Sequence, residues 1–160
     1  MVHQNIFLPV DGDKTNELIN CAIKMAIPGF SVVHLAYFQK PSLISIIKKA
    51  SKSSAPTAAE ARGFVRSMIK VLYWKDVINS MQKNLTVRVH IRKCWNRDKE
   101  INRLAERLDC DLIIIPQKSR MHSIFGLSAI ELARATGSKV MVIENDKIFN
   151  YDSHERFLVP

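Results

Sequence analysis

Apolar positions along the chain form two kinds of run, and the two alternate. "NIFLPV" (Asn5–Val10) is a short continuous apolar stretch closed by the turn signal "DGD". From Lys14 to Ala26 the period changes. Leu18, Cys21, Ala22, Met25 and Ala26 recur at i, i+3, i+4, i+7 and i+8, which places them on one face of a helix. Pro28-Gly29 stops it. "FSVVHLAYF" (Phe30–Phe38) is apolar on both sides, as a strand covered on both faces of a sheet must be. "LTVRVHIRK" (Leu85–Lys93) instead alternates. Leu85, Val87, Val89 and Ile91 face one way, and Thr86, Arg88, His90 and Arg92 the other. One wet side predicts an edge strand, with its arginines guarding the edge against unwanted pairing.

The second half repeats the theme. "NRDKEINRLAERL" predicts a helix using Ile101, Leu104, Ala105 and Leu108, with Asp98 and Glu100 suited to its first turn. "DLIII" is a fourth strand, "LSAIELARAT" a helix stopped by Gly137, and "KVMVI" a fifth strand. Between strands two and three lies a longer insertion. "SLISIIKKA" fits a short amphipathic helix, and "SKSSAPTAAEA" has the small-residue composition of a flexible connection, so 39–58 reads as an excursion. A long helix from about Thr57 to Lys83 follows. Its stripe of Phe64, Met68, Val71, Leu72, Ile78 and Met81, widened by Tyr73 and Trp74, reads as core. The polar residues 145–160 read as a tail behind a single domain, 1–144.

Strands alternating with helices predict an α/β fold: one doubly wound, five-stranded parallel sheet with right-handed crossovers and helices on both faces. In such Rossmann-like sheets ligands bind beyond the carboxyl ends of the strands. Here that edge carries the residues after Val10, Phe38, Ile91 and Ile115.

Composition narrows the function. A chain of 160 residues can bury one core. No apolar run reaches the roughly 20 residues of a membrane span, and "MVHQNIFLPVDGDK" lacks the basic start of a signal peptide. Three cysteines without CxxC spacing suit free thiols in a reducing cytoplasm. The five histidines are scattered, which argues against zinc. The net charge is +9, and the basic excess begins at Lys40 and runs to Arg120. Such a surface favours anions without choosing among nucleotides, nucleic acid, acidic proteins and lipid. Nucleic-acid binding is disfavoured by the lack of RNP-like aromatics or a helix-turn-helix.

The chemistry at the strand ends is sparse. There is no GxGxxG, no GxxxxGK[ST] and no nucleophile elbow. Asp11 and Asp13 are the only clustered acids there, and acids in a "DGD" turn form turns and helix caps. Asp11 also stands where a carboxylate accepts hydrogen bonds from a base or ribose. Both readings stay open. The chain is not expected to be an enzyme.

"NIFLPVDGDKTNELINCAIKMA" resembles the opening of the universal stress proteins, whose first strand ends in Pro-Val/Thr-Asp. "FSVVHLAYF", "EINRLAERLDCDLIII" and "GLSAIELARATGSKVMVIE" resemble later parts of that family, so the likeness covers 1–38 and 85–144. It implies the adenine nucleotide alpha hydrolase-like fold, a cytoplasmic protein with a role in stress adaptation, and a homodimer paired through the last strand, Lys139 to Ile143. It also implies adenine at the ends of strands one and two, near Pro9, Val10, Asp11, Ala36 and Tyr37, and phosphate on Gly-x2-Gly-x9-Gly-Ser/Thr after strand four. That last motif is degenerate here. Its first glycine falls on Pro116, its second on Ser119 and its third on Gly126; Leu127 takes the Ser/Thr place, with Ser128 one step late. The loop is also three residues too short. Proline offers no N–H, and serine resists the positive φ that glycine accepts. Lys118, Arg120 and Ser128 remain as side chains able to meet an anion.

Two expectations follow. The first is a non-enzymatic domain that holds no cofactor, does not bind ATP in the family's usual way and acts through protein contacts. The second is an adenine-nucleotide-binding stress regulator, taking ATP or AMP, with a remodelled phosphate loop.

Overall fold

The computed structural model describes residues 2–41, 57–117 and 128–153. The expected excursion lies largely outside them, as do Lys118, Ser119, Arg120 and Gly126. The elements run β1 (Asn5–Pro9), α1 (Thr15–Met25), β2 (Val32–Gln39), α2 (Ala58–Met81), β3 (Thr86–Lys93), α3 (Arg97–Arg107), β4 (Leu112–Pro116), α4 (Ala129–Thr136), β5 (Lys139–Glu144) and β6 (Lys147–Tyr151). They form one sheet in the order β3-β2-β1-β4-β5-β6. β1 to β5 are parallel, and β6 returns antiparallel to β5.

The sheet separates two cores. Ile6, Leu8, Leu35, Leu112 and Ile114 point to one face and pack with Leu18, Ile19 and Ala22 of α1 and Val71 and Ile78 of α2. Phe7, Ala36, Ile113 and Val140 point to the other, against Ile101, Leu104 and Ala105 of α3 and Leu132 and Ala133 of α4. Alternate residues of a central strand serve alternate faces, which is why β1, β2 and β4 are apolar at nearly every position. Asp111 ties the start of β1 to β4: its carboxylate accepts from the backbone N–H groups of Gln4 and Asn5, both at 2.9 Å.

β3 is an edge strand, as its alternation requires. Its polar side is not uniformly wet, however. His90 is half-buried and bonds to His34 of β2, Nε2 to Nδ1 at 3.0 Å.

Three expectations need correcting. The sheet has six strands, not five. Asn145 and Asp146 adopt positive φ (45° and 63°), which makes a tight two-residue hairpin, and β6 pairs back from it. β6 therefore covers the outer edge of β5, so Lys139 to Ile143 is not a free edge for pairing with a second chain. Finally, the stripe on α2 is mostly not core. Val71 and Ile78 are buried and Trp74 packs beside them, but Phe64, Leu72, Tyr73 and Met81 are exposed, along with Val65 and Ile69. Apolar side chains surround this helix, and only one side of it can lie on β2 and β3.

α4 ends at Gly137 with φ of +70°. A Cβ there meets no neighbouring atom, so the penalty for a side chain is conformational. Gly137→Ala is expected to lower stability by about 1 kcal/mol, measured by urea denaturation.

Candidate functional site

β1 and β4 are neighbours whose following helices lie on opposite faces, and this is the switch point of the sheet. Their pairing extends only to Phe7 and Ile113. Beyond it the strands carry Pro9 and Pro116. The Asp111 N–H donates to Asn5 O at 3.1 Å, so Asn5, Phe7 and Pro9 turn their backbone groups toward β4. The Gln117 N–H donates to Ile143 O at 3.0 Å, so Pro116 turns the other way, toward β1. Both prolines thus face the crevice at the two positions where an N–H would have pointed into it.

Val10 is buried and its N–H donates to Ala36 O at 2.9 Å, which joins the ends of β1 and β2. Asp11 follows at the carboxyl edge. Its carboxylate does not face open solvent: Arg97, the first residue of α3, grips it with two hydrogen bonds, Nε to Oδ2 at 2.7 Å and Nη2 to Oδ1 at 2.6 Å. The guanidinium also lies 5.6 Å from the centre of the Phe38 ring. The Asp11 side chain is 11% exposed and that of Arg97 33%. A bidentate fork of this kind satisfies both oxygens of the carboxylate. The turn role for this segment falls elsewhere, since the Thr15 hydroxyl donates to Gly12 O at 2.7 Å.

Ser128 caps α4. Its hydroxyl oxygen accepts from the Glu131 N–H at 3.2 Å, and the Glu131 carboxylate accepts from the Ser128 N–H at 2.7 Å. The Ser128 backbone N–H, and then its side chain, hold the Glu131 carboxyl below its ordinary range. A carboxylate thus already stands at the helix N-terminus where an incoming phosphate would seek donors.

Two hollows flank this edge. An apolar slot of about 290 Å³ lies between Ile101 of α3, Leu132 of α4 and the ends of β5 and β6, with Arg97 and Ser128 at its rim. On the other side of Asp11, an open hollow of about 500 Å³ is walled by Tyr37, Lys70, Tyr73 and Trp74. Lys70 Nζ lies 3.5 Å from the Tyr37 hydroxyl.

Of the residues singled out in the sequence, Pro9, Val10, Asp11, Ala36 and Tyr37 gather at one edge. Ser128 stands across the β1–β4 gap, engaged in its own helix cap. Arg97 was missed. A signal for it exists: an arginine in the first turn of a helix opposes the helix dipole, so its charge must be wanted elsewhere. Among the described residues no cluster of three potential metal ligands occurs, and the three cysteines are free.

The fold also has known counterparts. A universal stress protein from Archaeoglobus fulgidus superposes with a TM-score of 0.59 at 14% identity, over 90% of this chain and 96% of that one. The chain has the universal stress protein fold. A universal stress protein in complex with cAMP gives a TM-score of 0.60 at 11% identity, over 90% and 98%. An Archaeoglobus fulgidus universal stress protein in complex with dAMP gives 0.51 at 16%, over 90% and 100%. No family model matches the sequence, and no curated protein matches it. The similarity to universal stress proteins thus lies in the path of the backbone.

Proposed function

We propose that this chain is a non-enzymatic domain of the universal stress protein fold that does not hold ATP in the usual mode of that family and acts through protein contacts. The observation that carries the reading is the Asp11–Arg97 fork. The carboxylate expected to receive a base is held by an internal cation. Two prolines without N–H groups at the crevice and the Glu131 carboxylate at the start of α4 support it. The exposed apolar side of α2 supports the protein-contact half.

The second reading, an adenine-nucleotide-binding regulator, draws on the hollow beside Asp11, where Tyr37, Tyr73 and Trp74 offer aromatic surface and Lys70 a cation. Thermal melting with and without millimolar ATP, AMP or cyclic AMP separates the two. The expected result is an unchanged melting temperature with each nucleotide. A saturable upward shift that vanishes in Asp11→Ala, judged against that variant's own baseline, favours the second reading. Nucleotide released from the purified protein by denaturation and identified by mass spectrometry does the same.

A further inference from the structure

The solvent side of α2 carries a regular repeat. Ala58, Arg62, Val65, Ile69, Leu72 and Asp76 follow one another at spacings of 4, 3, 4, 3 and 4, and all six are exposed. This is the seam spacing of two helices packed side by side. The inner side of the same helix, through Ser67, Val71 and Ile78, is already buried on the sheet. The seam spans about 27 Å at the rise of an α-helix. Ile69 at its middle is 63% exposed and Val65 is 53% exposed. A helix apolar on two opposite sides is normally enclosed, and the outer side of this one is uncovered among the described residues.

The charges on the seam select what covers it. Arg62 stands at one end and Asp76 at the other, each seven residues from Ile69. Neither has an ion-pair partner among the described residues. A parallel copy would set arginine on arginine and aspartate on aspartate. An antiparallel copy, related by a two-fold axis near Ile69, brings each Arg62 within one turn of the opposite Asp76 while Val65, Ile69 and Leu72 close the centre.

We propose that α2 is a self-association surface on which a second copy of this chain packs antiparallel about Ile69, with two Arg62–Asp76 pairs between the copies. The proposal rests on the protein-contact half of the function stated above. A dimer of this kind leaves the Asp11–Arg97 fork untouched.

The test is mass measurement of the full chain by sedimentation equilibrium across micromolar to submillimolar concentration. The wild type is expected to dimerise reversibly. Ile69→Asp is expected to be monomeric with an unchanged melting temperature at low concentration, since the position is exposed in the folded monomer. Arg62→Asp and Asp76→Arg are each expected to weaken the dimer about tenfold or more through like-charge contacts. The double variant Arg62→Asp/Asp76→Arg is expected to restore it, because the exchange recreates both pairs. A partner of different chemistry gives no such restoration. A wild type monomeric throughout, a dimer indifferent to Ile69→Asp, or a dimer lost instead with Phe149→Lys on β6 overturns the proposal. The nucleotide melts use the wild type and Asp11→Ala and the mass measurement uses the seam variants, so the two readings fail separately.

Discussion

Arg97→Met lowers the unfolding free energy by about 2 kcal/mol, the expected loss for a pair that is largely but not fully withdrawn from water. The asymmetry of the pair sets the size. Asp11 is the more enclosed partner, so removing Arg97 leaves a carboxylate that solvent reaches poorly. The long methionine keeps contact with Phe38 and limits the packing loss. Asp11→Asn costs less, because a neutral amide is tolerated where a lone charge is not. The double variant Asp11→Asn/Arg97→Met loses less than the sum of the two, and the difference is the coupling between the side chains. Urea denaturation of the four proteins measures it. An Arg97→Met variant as stable as the wild type would remove the fork as the organising feature of this edge, and with it the main support for an internally filled base site.

Acid is expected to destabilise the protein through His34. The Asn5 side chain fixes the hydrogen bonds in order. Its Nδ2–H donates to Asp109 O at 3.3 Å, so its Oδ1 faces His34 Nε2 at 3.3 Å and accepts. His34 is then protonated on Nε2 and bare on Nδ1, where it accepts from His90 Nε2–H. Burial, then the neighbouring His90 and Arg88, push His34 down from 6.5 to about 4. Burial, Arg107 and Arg88 also lower His90. Between these values the unfolded chain binds a proton that the folded chain refuses. Stability is therefore fully present above the ordinary histidine range and falls as pH drops toward 4. The expected loss is about 2–3 kcal/mol between neutral pH and the acid end of this window. Carboxylates titrate at the acid end as well, so the comparison that isolates the effect is with His34→Gln. Its stability is expected to fall less over the same range in parallel urea titrations. Equal pH slopes for the two proteins would show that His34 is not the group responsible.

The two predictions differ in how far the sequence foretold them. The five parallel strands, the edge position of β3 and the gathering of Pro9, Val10, Asp11, Ala36 and Tyr37 were legible. Each follows from hydrophobic period or from the rule that strand ends meet at one edge. The fork was not legible. Arg97 and Asp11 are 86 residues apart, and an arginine in the first turn of a helix tells that its charge is wanted elsewhere without telling which acid it will reach. β6 was hidden for another reason. "KIFNY" is short and does not alternate, and its real signal was Asn145-Asp146, a pair that tolerates the left-handed turn. On α2 the period was right and the inference from it wrong. A helix that is apolar all round reports how much surface wants cover, not which of its sides the sheet will supply.

The prolines at the ends of β1 and β4 have one more consequence. A sheet lengthens by zipping N–H to carbonyl, and at this seam both next teeth are missing covalently. No rearrangement of side chains, change of pH or bound molecule can close the gap by extending the ladder. The notch is as permanent as the sequence itself, even where the residues around it have been turned to other uses.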